Sequence, residues 1–418
     1  GQDDCVRYID KLSSFPAVNV MSGGLISTVI DDAGCGYSVY RRKTIGVKSD
    51  RLRNNAGAFI YIKDGDKLYS PTFAPIRDDV TKYKATFTPT YSLFENKADG
   101  CSLRVSLAGN LCAEVRILEI ENTSDKAKDI QVAYYEKLAM AYDDEYKSHP
   151  AFNDMFISTA AEGNKIFATK RSREKLGDWH TCLSVSGLES LVAVTDNRDF
   201  LVRLGDESHP KIFDEQIDMN VTGDVLSPCL GLKGNVSIAA GGKCKIWFCR
   251  LCGEDIVKLR ENADRSCAYG FDEYAVACSK SLRSVPASKY LYNNEVCELV
   301  ADLAAKLIYL PHSVKEINNI SLMRSGEGVD YNAKAIVYDY DAAPEKADEV
   351  ICAALYLNLS GVACNLYIIL EDEDSYYRPR YNKVFKKTRA GDITGFGFII
   401  PVDKRDEDRL KKIKLSAF

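Results

Sequence analysis

Between Val18 and Ile256 the chain is written in period two, and this constrains its fold more than any other feature. Leu103, Val105 and Leu107 share one side of an extended segment while Arg104 and Ser106 take the other, and Ile130, Val132 and Tyr134 alternate with Gln131 and Ala133. Successive side chains of a strand point to opposite faces, whereas a helix would repeat its apolar residues at steps of three and four. The runs are short. Asp64-Gly65-Asp66, Asn122-Thr123-Ser124-Asp125 and Ala239-Ala240-Gly241-Gly242 punctuate them with residues that favour tight turns. The pattern predicts half-buried strands assembled into a large antiparallel sandwich.

Near Val257 the pattern changes. Val296, Leu299, Val300, Leu303, Leu307 and Ile308 recur at three- and four-residue steps, which predicts an amphipathic helix between Tyr290 and Leu310, closed by Pro311. Beyond Lys334 the chain alternates. Ala335–Tyr338, Asn365–Leu370 and Phe396–Ile400 read as strands, and Ala343–Gly361, Tyr376–Arg389 and Asp406–Leu415 as helices, so a small parallel sheet with right-handed crossovers is expected. The fold class is therefore mainly β. It comprises a sandwich over 1–285, a helical linker over 286–312 and a small α/β domain over 313–418. A length of 418 residues suits two or three such domains. The last residues stop where a helix would lead onward, so the expectation is a piece cut from something longer.

Composition and spacing exclude several chemistries. A net charge of -5 with scattered basic residues argues against nucleic acid as the main partner. No apolar run approaches the ~18 residues of a spanning helix, and no apolar leader precedes Asp3-Asp4, so the reading places the chain in the cytosol with no membrane. Its fourteen cysteines then read as reduced, buried thiols. Cys244-x4-Cys249-x2-Cys252 matches part of an iron–sulfur spacing, but on a strand Cys249 faces away from Cys244 and Cys252, so one metal cannot reach all three. The four histidines, His149, His180, His209 and His312, fall in no ligand spacing, and no P-loop, GxSxG or GxGxxG occurs. No cofactor is expected. The acidic runs Asp143-Asp144-Glu145 and Glu371-Asp372-Glu373-Asp374 read as solvated loop faces.

Tyrosine is abundant, 24 residues against 16 Phe, and Tyr37, Tyr40, Tyr61 and Tyr69 lie among Arg41, Arg42, Arg51 and Arg53. Aromatic faces beside long donors suit a pyranose ring, whose C–H faces are apolar and whose rim is hydroxylated. Strand surfaces, however, are enriched in aromatics in any case.

Several segments together resemble one family. Asp32-Ala33-Gly34 with Gly36-Tyr37-Ser38, Phe59–Asp64, Tyr69-Ser70-Pro71-Thr72, Glu119–Ser124, Tyr135-Glu136, His149-Pro150-Ala151-Phe152, Thr169–Arg173 and Thr195–Phe200 with Arg203 follow the order seen in glycoside hydrolase family 94, formerly glycosyltransferase family 36. Cys364–Glu371 with Ser375-Tyr376-Tyr377 resembles a segment of its β-1,2-glucan branch, the 1,2-β-oligoglucan phosphorylases and cyclic β-1,2-glucan synthases. The resemblance implies a galactose mutarotase-like β-supersandwich that precedes a helical linker and an (α/α)6 barrel, with the catalytic acid and phosphate site in that barrel. It therefore assigns no catalytic residue here. It implies scaffold, dimer and carbohydrate-contacting roles, with Tyr37, Tyr40, Arg41, Arg42 and Tyr69 as candidate contacts. The expected partners are a β-glucan oligosaccharide and either the barrel or a second copy of the chain. The competing expectation is a stand-alone carbohydrate-binding or interaction protein derived from such an enzyme.

Overall fold

The computed structural model describes residues 5–12, 14–49, 51, 55–77, 83–172, 177–201, 207–214, 219–309, 320–323, 334–371, 386, 388–389, 391 and 396–416. Its contacts divide the chain into two units, Val6–Arg283 and Ser284–Phe418 together with Gly1–Cys5.

The first unit holds two antiparallel sheets of nine strands each. One runs in the spatial order Arg7–Ile9, Tyr83–Phe87, Tyr91–Asn96, Cys101–Ala108, Ala113–Glu121, Lys243–Gly253, Trp179–Ser186, Lys165–Lys170, Ile157–Glu162. The other runs Glu189–Ala193, Cys229–Ile238, Lys128–Ala141, Lys43–Gly46, Gly36–Tyr40, Ile26–Asp31, Val18–Ser22. The long strand Lys128–Ala141 organises this second sheet. One edge pairs with Cys229–Ile238, and the other is shared between Ala58–Asp64 along its first half and Lys43–Gly46 at its end.

The period-two reading holds strand by strand. Leu103, Val105, Leu107, Ile130, Val132 and Tyr134 all lie in the inter-sheet core. Full burial of each such side chain contributes about 1.5–3 kcal/mol. Arg104 and Gln131 beside them are part-exposed, as half-buried strands require, but other outward positions are covered, which corrects the half-buried expectation there. Val115, Ile117 and Leu251 pack under Leu259, Ala263, Phe271 and Ala275 of the helices Ile256–Ser266 and Phe271–Ser281. On the second sheet Ala133 and Tyr135 are covered by Phe200, Leu201 and Ile212. Cys249 belongs to the helix-covered face, while Cys252 faces the inter-sheet core and Cys244 packs against it, so the three thiols divide between faces as their spacing predicts.

In the second unit Lys334–Asp339, Cys364–Leu370 and Ile399–Asp403 form the expected parallel sheet, and Ile320–Met323 adds an antiparallel edge that the sequence did not announce. The third strand begins three residues later than predicted. The helix Asn294–Tyr309 packs against Ala347–Leu359. The helix expected over 376–389 lies almost wholly outside the described residues. One cysteine expectation is corrected. Cys5 and Cys297, 292 positions apart, meet with a Cα separation of 6.2 Å and form a disulfide, while the other twelve cysteines form none.

Candidate functional site

The five candidate contacts divide between two places on the sandwich. Tyr37, Tyr40, Arg41 and Arg42 share one hairpin, where Tyr40 pairs with Lys43 across a two-residue turn. Such a turn requires positive φ at both central residues and usually takes Asn-Gly. Here Arg41 and Arg42 adopt φ of 47° and 71°, a conformation that costs an L-residue roughly 1–2 kcal/mol. The Arg41 amide donates to the Leu25 carbonyl at 3.0 Å, and its guanidinium sits 3.5 Å from Glu254 and over the Tyr40 ring. Both partners of that ion pair are about half exposed, so its energetic value is small. Arg42 is exposed and makes no contact among the described residues.

Behind the turn the aromatics are stacked. Tyr40 lies on Trp179 with ring centroids 5.7 Å apart, and the Lys43 ammonium is within 6 Å of both the Trp179 and Tyr142 rings. Tyr142 is 46% exposed, whereas Tyr40 and Trp179 are buried. Tyr37 points to the other face of its strand, buried beneath the Lys48 ammonium. Burial raises the phenol pKa of Tyr37, with Asp143 adding to the effect. Burial likewise raises that of Tyr40, against a lowering contact from Arg41. These phenols remain neutral, and the accessible groups at this end include Arg41, Arg42, Lys43, Tyr142 and Glu254.

Tyr69 is elsewhere. It pairs with Ile62, and Ile62 with Val132, whereas Thr44 beside the hairpin pairs with Ala141 on the same strand. Nine residues at about 3.3 Å each place the two sites roughly 30 Å apart. Tyr69 is buried in the wall of a small cleft beneath Lys67, and burial holds its phenol neutral.

A charged cluster that the alternation did not reveal lies between the sheets. Arg250 donates to Glu136 at 2.5 Å and to Glu114 at 3.0 Å, and Arg116 donates to Glu114 at 2.8 Å and to the Ala58 carbonyl at 3.0 Å. Thr28 and Ser38 each donate to Glu114 at 2.6 Å, and Tyr134 donates to Glu136 at 3.0 Å. All four charged side chains are buried. Burial alone would raise the Glu114 pKa, but the two arginines with Ser38 and Thr28 hold it well below the usual carboxylate range. At Glu136 burial prevails over Arg250, and the pKa is raised. Gly46 makes room for this carboxylate, since a Cβ there would lie 2.6 Å from its oxygen. The cluster is enclosed and offers no path to a substrate. Glu136 stands in the Tyr135-Glu136 segment noted in the sequence, but Glu114, Arg116 and Arg250 gave no signal, because charges on a strand read as its solvent face.

Other motif residues serve the fold. Asp196 caps the short helix Asn197–Phe200 by accepting from the Arg198 amide at 3.0 Å, and it also holds the Arg198 guanidinium. Asp143 pairs with Lys48 and Lys147 at the edge of the hairpin site. No group of three or more potential metal ligands occurs among the described residues.

Residues 5–268 match the family description "Glycosyl hydrolase 94, supersandwich domain". Among curated proteins, the cyclic β-(1,2)-glucan synthase NdvB of Rhizobium meliloti (strain 1021) is 27% identical over 290 residues, which is 64% of this chain and 10% of that protein. The chain thus spans about a tenth of the length of that relative. Solved structures overlap at low scores. A bacterial glucoamylase complexed with acarbose gives a TM-score of 0.39 at 8% identity, covering 72% of this chain and 44% of that one. A family GH92 α-mannosidase from Bacteroides thetaiotaomicron gives 0.35 at 12% identity, covering 73% and 40%. With the family match extending over more than half of its residues, the chain belongs to glycosyl hydrolase family 94 and carries that family's supersandwich domain.

Proposed function

We propose that this chain is the non-catalytic, amino-terminal portion of a family 94 protein that phosphorolyses or synthesises β-linked glucans, with β-1,2 linkages as the favoured substrate. Its sandwich supplies scaffold, a dimerising surface and carbohydrate contact at the hairpin that holds Tyr37, Tyr40, Arg41 and Arg42 and at Tyr69, and it works in the cytosol. The barrel that completes the active site, or a second copy of the chain, is the partner in this reading. The hairpin carries it. A backbone conformation costly to arginine holds Arg41 and Arg42 at the tip of an aromatic stack capped by Lys43, and backbone outliers of this kind concentrate where ligands are bound. Glycan hydroxyls would accept from the guanidinium groups, with the exposed Tyr142 ring offered to a C–H face. Tyr37 and Tyr40 would act beneath that surface, as supports for the hairpin rather than as its outer contacts.

Calorimetric titration of the chain with β-1,2-linked gluco-oligosaccharides tests this. Binding in the millimolar range, about -4 kcal/mol, is expected, and an Arg41→Ala/Arg42→Ala double variant should weaken it at least about fivefold. Binding that the double variant leaves unchanged would remove the hairpin from the reading. No heat from any β-glucan would leave the scaffold role alone.

A further inference from the structure

A cavity of about 180 Å³ opens beside the turn that follows Asn96 and beside Asn122-Thr123, at the Tyr69 end of the sandwich. Its lining is mostly polar, with an apolar part contributed by Tyr69, Ile120, Ile130 and Ile238, all buried. Its charges are largely paired off. Lys67 binds Asp99, Lys128 binds Asp64 at 2.5 Å, and Glu121 reaches Lys243 at 3.3 Å. Three donors that line the cavity have no partner among the described residues, namely the Lys97 ammonium and the hydroxyls of Thr123 and Tyr69.

We infer that this cleft binds one neutral pyranose unit, the isoleucines and Tyr69 lying against its C–H face and the three free donors meeting its hydroxyls. The place follows from the cavity itself, while the ligand class rests on the carbohydrate reading above. The paired carboxylates disfavour a dication, which would have to break an existing pair to be matched, while the single unpaired ammonium of Lys97 is a weak match for an anion and is tested by the phosphate arm below. Size restricts the choice further. At about 30 Å³ per water the cavity holds roughly six waters, below the ~300–1,000 Å³ of sites that enclose larger ligands. One sugar ring fits this space; a nucleotide or the interior of a glucan chain does not. At roughly 30 Å from the Arg41–Arg42 turn, the cleft is a second contact point, able to hold one end of a glycan whose other residues lie elsewhere.

The test uses the full chain with isoleucine methyl groups labelled for NMR, titrated with methyl β-D-glucopyranoside. Saturable shifts at the Ile120, Ile130 and Ile238 methyls are expected, with half-saturation at about 1–10 mM. Thr123→Trp, which fills the mouth from an exposed position, should weaken this at least about tenfold, and Lys97→Ala about threefold, while both variants keep their hairpin-dependent oligosaccharide binding. If oligosaccharide still binds in a hairpin-dependent manner but the three methyls do not move, the cleft assignment fails and the carbohydrate reading stands. If no glucan binds and no methyl moves, both fail. Saturable shifts with inorganic phosphate but not with the glucoside, or glucoside shifts that Thr123→Trp leaves unchanged, would overturn the inference.

Discussion

The two units bury their strands in different ways. In the sandwich the central strands present one face to the inter-sheet core and much of the other to a helical or loop cover, and that inter-sheet core contains two glutamates and two arginines. In the α/β unit Cys364–Leu370 is buried at every residue, and Asn365 is its one polar side chain apart from the Tyr367 hydroxyl, with no charge in the strand. Parallel strands between covering layers read as continuous apolar runs, and a lone charge among them would be costly. A charge inside the sandwich is tolerable because two carboxylates and two guanidiniums meet there, with Thr28, Ser38 and Tyr134 adding hydrogen bonds to the carboxylates, although the buried Arg250 Nε has no partner among the described residues. One unit thus has a largely apolar core with a disulfide between Cys5 and Cys297, the other an apolar core that encloses an ionic network.

Arg250→Met breaks this contrast most sharply. It leaves Glu114 and Glu136 buried with Arg116 as their remaining cation, and removing one partner of a buried pair costs about 3–5 kcal/mol. Leu366→Ala in the apolar strand should cost about 2–5 kcal/mol by leaving a cavity. The two losses can be separated, because both tryptophans, Trp179 and Trp247, belong to the sandwich. Under urea, Arg250→Met should shift the fluorescence transition to lower denaturant, whereas Leu366→Ala should shift the part of the far-ultraviolet signal that fluorescence does not follow. A fluorescence shift below about 1 kcal/mol for Arg250→Met would show that the network contributes little.

A smaller effect distinguishes the two carboxylates. The Glu114 pKa is depressed in the fold, so the stability it contributes is present above its ordinary value of 4.5 and is lost as pH falls. The Glu136 pKa is raised, so its effect runs the other way, and ionising it as pH rises through the raised value works against folding. At neutral pH Glu114→Gln should therefore cost about 1–3 kcal/mol and flatten the acid limb of the stability profile. Glu136→Gln should cost less and make the protein relatively more stable towards high pH. Equal losses from the two variants, read from thermal midpoints between pH 2 and 8, would contradict this assignment.

The alternation at Leu103–Leu107 and Ile130–Tyr134 made the sandwich legible, because a period of two has one structural meaning. The apolar runs at Ala335–Tyr338 and Asn365–Leu370 did the same for the parallel sheet. The covers over Val115 and Tyr135 were not legible, since a strand does not record what packs on its second face. The charged cluster was hidden for a related reason: Glu114 and Arg116 take inward positions of a strand whose charges read as solvent-facing. Of the candidate contacts, sequence proximity grouped Tyr69 with the hairpin, and only strand register separates them by roughly 30 Å. The Cys5–Cys297 bridge spans 292 positions and leaves no local trace.

The central claim, that this chain contacts glycan without transforming it, is tested most directly by incubating it with β-1,2-gluco-oligosaccharides in phosphate buffer and measuring sugar 1-phosphate. Phosphorolysis needs an acid aimed at the leaving oxygen and a fixed phosphate site opposite, whereas the carboxylates at the hairpin and the cleft, Glu254, Asp143, Asp64, Asp99 and Glu121, are engaged in ion pairs with neighbouring cations. The account predicts no product from the chain alone, and release only when a catalytic partner domain is joined to it. Turnover by the isolated chain that is abolished by Asp144→Asn or Asp330→Asn would contradict the account and place the active site within these 418 residues.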